Sequence, residues 1–63
     1  MKPSFELYQD AKGEWRWRLI AENGRTIADS AEGYVERQDC EHGIELVRTH
    51  AGDADLVTDI GGE

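Results

Sequence analysis

An α+β fold is predicted by three features of this 63-residue chain. Two stretches near the start alternate apolar and polar residues, an Asn-Gly pair follows them, and the apolar period then lengthens from two to about 3.6. Together they describe a three-stranded antiparallel meander, one helix and a short C-terminal strand, in the order βββαβ.

"SFELYQ" puts Phe5, Leu7 and Gln9 on one face and Glu6 and Tyr8 on the other, which is a strand pattern. "WRWRLIAE" repeats it, with Trp15, Trp17, Leu19 and Ala21 against Arg16, Arg18, Ile20 and Glu22. The link "DAKGE" is polar and contains glycine, as a longer hairpin connection requires. Asn23-Gly24 then predicts a two-residue turn, because both residues tolerate the positive φ of type I′; "TIADS" follows as the third strand.

Such a turn dictates register. It pairs Glu22 with Arg25, Ile20 with Ile27, Leu19 with Ala28, Arg18 with Asp29 and Trp17 with Ser30. Matching apolar faces in the first hairpin pairs Leu7 with Trp17, Phe5 with Leu19 and Glu6 with Arg18, and sets the Arg16 cation over Tyr8.

Aromatics interleaved with cations, as in "EWRWRL", are also a mark of nucleic-acid binding. Here the alternation sends the two indoles inward, to a core with Phe5, Leu7 and Leu19. It sends the arginines outward among acidic and aromatic neighbours, in pairs worth roughly 0.2–1 kcal/mol each. They need no phosphate to explain them.

In the second half Cys40, Ile44, Val47 and Ala51 fall at i, i+4, i+7 and i+11, the stripe of one helix face. Glu36, Asp39 and Glu41 load its first turns, while Arg48 and His50 lie near its end, both favourable to the helix dipole. Gly52 is placed to end it. Gly43, inside the helix, costs about 1 kcal/mol relative to alanine, so a bulky neighbour such as an indole is expected against its bare backbone. The tail "ADLVTDIGGE" predicts one more strand over Asp55 to Ile60, with Leu56, Thr58 and Ile60 on one side and Val57 and Asp59 on the other.

Length and charge bound what these elements can do. By area scaling, a chain of this mass exposes about 10,000 Å² unfolded and about 4,000 Å² folded. The apolar share of that burial contributes roughly 90 kcal/mol, against about 95 kcal/mol of ordering entropy. A lone protomer is barely balanced, and Cys40, the single cysteine, cannot form an internal disulfide. An unpaired thiol and the absence of an apolar leader or an 18-residue apolar run point to a cytoplasmic protein that meets no membrane. Fourteen acids against seven bases leave a net charge of -7, which repels phosphate backbones in dilute salt. Molar salt screens such repulsion, so the composition suits a salt-rich cytoplasm and predicts a melting temperature that climbs with KCl; an ordinary acidic protein is the alternative.

Catalytic and metal chemistry find little footing. On a helix His42 turns about 200° from Cys40, and His42 and His50 lie eight residues apart, beyond the i, i+4 spacing of helical zinc ligands. Cys40, on the apolar stripe, reads as a small buried hydrophobe. Ser30 has no histidine placed to activate it, and "DIGGE" opens no phosphate-cradling helix. No catalytic residue, cofactor or metal is assigned.

The ordered pieces "EWRWRL", "NGRTIADS", "GY" and "EHGIELV" resemble the YegP-like family of small proteins of uncharacterised function, over about residues 4 to 50. His42 replaces the family's usual asparagine, and Glu36 stands where a serine cap is usual. The resemblance implies a single YegP-like unit over residues 1–63, and two such units joined in one continuous sheet by exchange of their C-terminal strands. It thus implies a homodimer whose exchanged strand contains Leu56, Val57, Thr58 and Ile60. The function expected is a small acidic homodimeric protein, a non-enzymatic structural, regulatory or protein-interaction module with an unidentified protein partner. The alternative is binding of single-stranded nucleic acid or another anion on the face of Tyr8, Arg16, Arg18 and Arg25, against which the net charge argues.

Overall fold

Alternation governs the first half of the chain. In the computed structural model, which describes residues 2–60, β1 (Ser4–Gln9), β2 (Trp15–Ile20) and β3 (Thr26–Asp29) form an antiparallel sheet in sequence order. β1 and β2 pair Phe5 with Leu19, Glu6 with Arg18, Leu7 with Trp17 and Tyr8 with Arg16. That register puts Phe5, Leu7, Trp15, Trp17 and Leu19 on one face, and slipping it by one residue would turn them all to water.

Both hairpins close by the same device. Gly13 N–H donates to Asp10 C=O and Asp10 N–H to Glu14 C=O, each at 2.9 Å, with Gly13 at φ 84°. In the second, Gly24 N–H donates to Ala21 C=O at 2.9 Å and Ala21 N–H to Arg25 C=O at 2.8 Å, with Gly24 at φ 88°. Each is therefore a three-residue loop ending in a left-handed glycine, and the two-residue Asn23-Gly24 turn is corrected. Asn23 avoids the cost of positive φ and instead accepts the Arg25 N–H on Oδ1 at 3.0 Å.

This longer loop shifts the pairing next to it. Ile20 faces Thr26 rather than Ile27, and a bulge between Leu19 and Ile20 then restores Leu19 opposite Ala28 and Arg18 opposite Asp29. Ile27 is the extra residue, left 59% exposed. A bulge absorbs the surplus residue because the inward face must stay in phase with the core.

Helix α1 (Arg37–His50) crosses the sheet and buries Cys40 and Ile44 against Trp17. Glu36 is its N-cap without a side-chain cap bond, and a 3-10 turn at Ala51–Asp53 ends it. The stripe stops at Val47, since Ala51 is exposed. Phe5, Leu7, Trp15, Leu19, Tyr34 and Val47 pack around the buried centre, and the rings of Phe5 and Trp17 meet edge to face at 5.7 Å. Trp15 is half-buried rather than enclosed. An isolated bridge joins it to Tyr34, whose N–H and C=O exchange bonds of 2.8 and 2.7 Å with the Trp15 backbone.

The fourth strand does not form within this chain. Residues 54–60 carry no regular structure and every one of them is exposed, so Leu56, Val57, Thr58 and Ile60 pair with neither edge of the sheet. A strand is stable only where its backbone groups find a ladder, and none reaches these residues here.

Candidate functional site

Two surfaces stand out, one on each side of the sheet. On the outer side, opposite the helix, Tyr8, Arg16 and Arg18 come together because β1 and β2 pair them directly or diagonally. Their charges are already engaged. Arg16 Nε donates to Asp10 Oδ2 at 2.6 Å and Arg18 Nε to Glu6 Oε1 at 2.8 Å.

The cation over the Tyr8 ring is Arg18, at 4.5 Å from its centroid, not Arg16, which corrects the expected pairing. Asp10 explains the change, because its carboxylate offers Arg16 an ionic partner at the mouth of the hairpin. Asp10 also accepts the backbone N–H of Lys12 at 2.9 Å and of Glu14 at 3.0 Å. Arg16 first, then these amides, hold its carboxyl below the usual carboxylate range. "QDAKGE" contains the signal, a turn aspartate able to bond its own following backbone, although its polar composition by itself marks only a loop. Arg25 lies apart, at the exposed start of β3.

On the inner side the helix covers β1 and β2 and makes no contact with β3. Arg48 lies over Phe5, with its guanidinium 5.6 Å from the ring, and Arg37 over Trp15 at 5.3 Å. These two are eleven positions apart, hence nearly in line on one flank of α1, and that flank is closed onto the aromatics. The opposite flank carries Gly43 and Leu46. Leu46 is 47% exposed, and Val35, just before the helix, 79%. Every residue of β3 is exposed, including Ala28, which lies opposite the inward Leu19.

The tail is exposed as well, Leu56 to 90%, Val57 to 66% and Ile60 to 78%. The whole chain exposes 5173 Å², against the roughly 4,000 Å² of a compact monomer of its mass. Its radius of gyration is 13.6 Å, where about 11 Å is ordinary for this length. The surplus, roughly 1,200 Å², is more than the about 800 Å² that one partner contributes to a standard interface.

Candidate chemical groups do not converge. Cys40 is fully buried, and burial pushes its thiol up, away from the thiolate that reacts. His42 and His50 are exposed. Ser30, buried at 7%, uses its hydroxyl to accept the Trp17 N–H at 3.1 Å. Among the described residues no group of three or more His, Cys, Asp or Glu side chains gathers at metal-binding distance, and no pocket opens in the surface. No helix among them is long and apolar enough to cross a membrane.

Fold and surface thus define a small α+β unit, a meander roofed by one helix on two of its three strands. The chain belongs to the family described as a domain of unknown function, DUF1508, which it matches over residues 10–57. It is similar to a UPF0339 protein of Neisseria meningitidis serogroup B, 51% identical over 45 residues, covering 71% of this chain and 79% of that one. Among solved structures it resembles a Haloferax volcanii protein determined by NMR, with a TM-score of 0.81 and 46% identity over 89% of this chain and 93% of that one. A UPF0339 protein of Stutzerimonas stutzeri is 45% identical over 53 residues, 84% of this chain but 47% of its own length. These are proteins of uncharacterised function, consistent with the YegP-like resemblance.

Proposed function

We propose that this chain is a homodimeric, non-enzymatic protein-interaction module of a salt-rich cytoplasm, assembled by reciprocal donation of the C-terminal segment. The observation that carries the reading is an exposed apolar tail in a chain whose third strand the helix leaves bare. In a dimer, residues 55–60 of one copy add to the sheet of the other, and Leu56, Val57, Thr58 and Ile60 become a strand with a ladder to bond. Its inward apolar side chains then extend the face that Leu19 and Ala28 present. The longer Stutzerimonas relative supports this, since a chain that this one matches over only about half its length has room for a second unit. What the assembled module holds is then another protein, through the outer sheet face or the exposed helix surface.

Sedimentation of the intact chain and of a chain lacking residues 55–63 tests the reading. The intact protein is expected to sediment as a dimer and the shortened one as a monomer or an unfolded chain. Equal sedimentation of the two overturns strand donation.

The second reading, an anion or single-stranded nucleic acid on Tyr8, Arg16, Arg18 and Arg25, draws less support. Arg16 and Arg18 each have a carboxylate within 3 Å, and binding would have to displace it. That reading predicts loss of binding in Arg16→Ala across a salt series, whereas the dimeric module predicts no binding to lose.

A further inference from the structure

We infer that ionic strength sets the monomer–dimer balance of this chain, through the aspartates interleaved with the apolar residues of its tail; the inference rests on the homodimer reading above. In "AGDADLVTDI", Asp53, Asp55 and Asp59 surround Leu56, Val57 and Ile60, with no lysine or arginine from Ala51 onward. The segment that must dock therefore carries its apolar side chains and a concentrated negative charge together.

Of seven cations, Arg16, Arg18, Arg37 and Arg48 are bound to Asp10, Glu6, Glu41 and Glu45. None of the described ion pairs involves a tail aspartate. The uncovered third strand brings two acids, Asp29 at its end and Glu32 just beyond, against one cation, Arg25 just before its start. Docking thus carries Asp55 and Asp59, with Asp53 just behind them, to an edge with more acids than bases and joins two bodies of net charge -7.

How far this repulsion reaches depends on salt. The shortest dimension of the chain is 20 Å, so the charges that docking brings nearest to one another lie within the ~30 Å Debye length of 0.01 M salt, whereas the ~3 Å of 1 M salt screens nearly all of them. Burial of the tail's apolar groups does not fade with added KCl, whereas the opposing Coulomb term does. The dimer is therefore favoured in concentrated salt and released in dilute salt.

Sedimentation equilibrium in KCl from about 0.05 M to about 1 M reads this directly. The dimer dissociation constant is expected to fall on the order of tenfold across the series. In the triple variant Asp53→Asn, Asp55→Asn, Asp59→Asn, the charge product drops to about a third, so the response shrinks to roughly twofold. The substituted residues are exposed and unpaired, and circular dichroism checks that the fold is kept. A dimer equally stable at all salt concentrations, or a triple variant with the full tenfold response, overturns the inference and leaves the homodimer reading intact. A monomer at every salt concentration overturns both.

Discussion

Trp17 and Ser30 exchange two hydrogen bonds of different kinds: Ser30 N–H donates to the Trp17 carbonyl at 2.9 Å, and Trp17 N–H donates to Ser30 Oγ at 3.1 Å. β3 ends at Asp29, so a hydroxyl takes the place of the next backbone acceptor beneath the most buried indole. Ser30→Ala removes that acceptor and strands a buried N–H, which costs about 1–3 kcal/mol. A urea unfolding curve is expected to show an earlier midpoint with unchanged slope. A cost of a few tenths of a kcal/mol would mean that water replaces the hydroxyl.

Asp10 organises the first hairpin through one carboxylate, which bonds two backbone amides and Arg16. Because these partners lower its pKa in the folded state, its stabilising contribution is complete above the unfolded aspartate value of ~3.9. It is lost as pH falls through the lower folded value, where the native carboxylate also takes a proton. Asp10→Asn is therefore expected to be less stable than the parent near neutral pH and to show a shallower loss of stability below pH ~4. Parallel acid titrations followed by tryptophan fluorescence check it; identical acid limbs would count against the assignment.

Gly43 faces a crowded junction. A Cβ at that position would lie 3.1 Å from the Tyr34 hydroxyl and 3.6 Å from Trp17 Nε1. Alanine gains about 1 kcal/mol of helix propensity, but Tyr34 is tied to Trp15 by two backbone bonds and yields little. Gly43→Ala is expected to gain less than that full value, and the double variant with Tyr34→Phe to recover the difference. Additive effects in the double-mutant cycle would refute the coupling.

The two tryptophans differ in weight. Trp17 is 8% exposed and central to the buried cluster, whereas Trp15 is half-buried under Arg37. Trp17→Ala is expected to cost about 3–5 kcal/mol, a large share of the 5–15 kcal/mol total of an ordinary domain, and Trp15→Ala clearly less. Thermal melts of the two variants order them, and acrylamide should quench Trp15 more readily than Trp17.

Period and composition determined much of this protein without any coordinates. Strict alternation in "SFELYQ" and "WRWRLI" put the first hairpin in its observed register, because only one register keeps Phe5, Leu7, Trp17 and Leu19 on a common face. The i, i+4, i+7 spacing of Cys40, Ile44 and Val47 placed α1 for the same reason. The tertiary structure alone decided the details that depend on competition between partners. Arg16 chose Asp10 over Tyr8 because a charged hydrogen bond outweighs a ring face. Asn23 stayed out of the left-handed region because a longer loop and a bulge cost less. Tyr34, an isolated aromatic in a loop, had no period to reveal it and entered the packing through backbone bonds to Trp15. The tail illustrates the boundary most sharply: its alternation specifies a strand, but a strand needs a neighbouring edge to bond, and within this single chain the tail pairs with neither edge of the sheet.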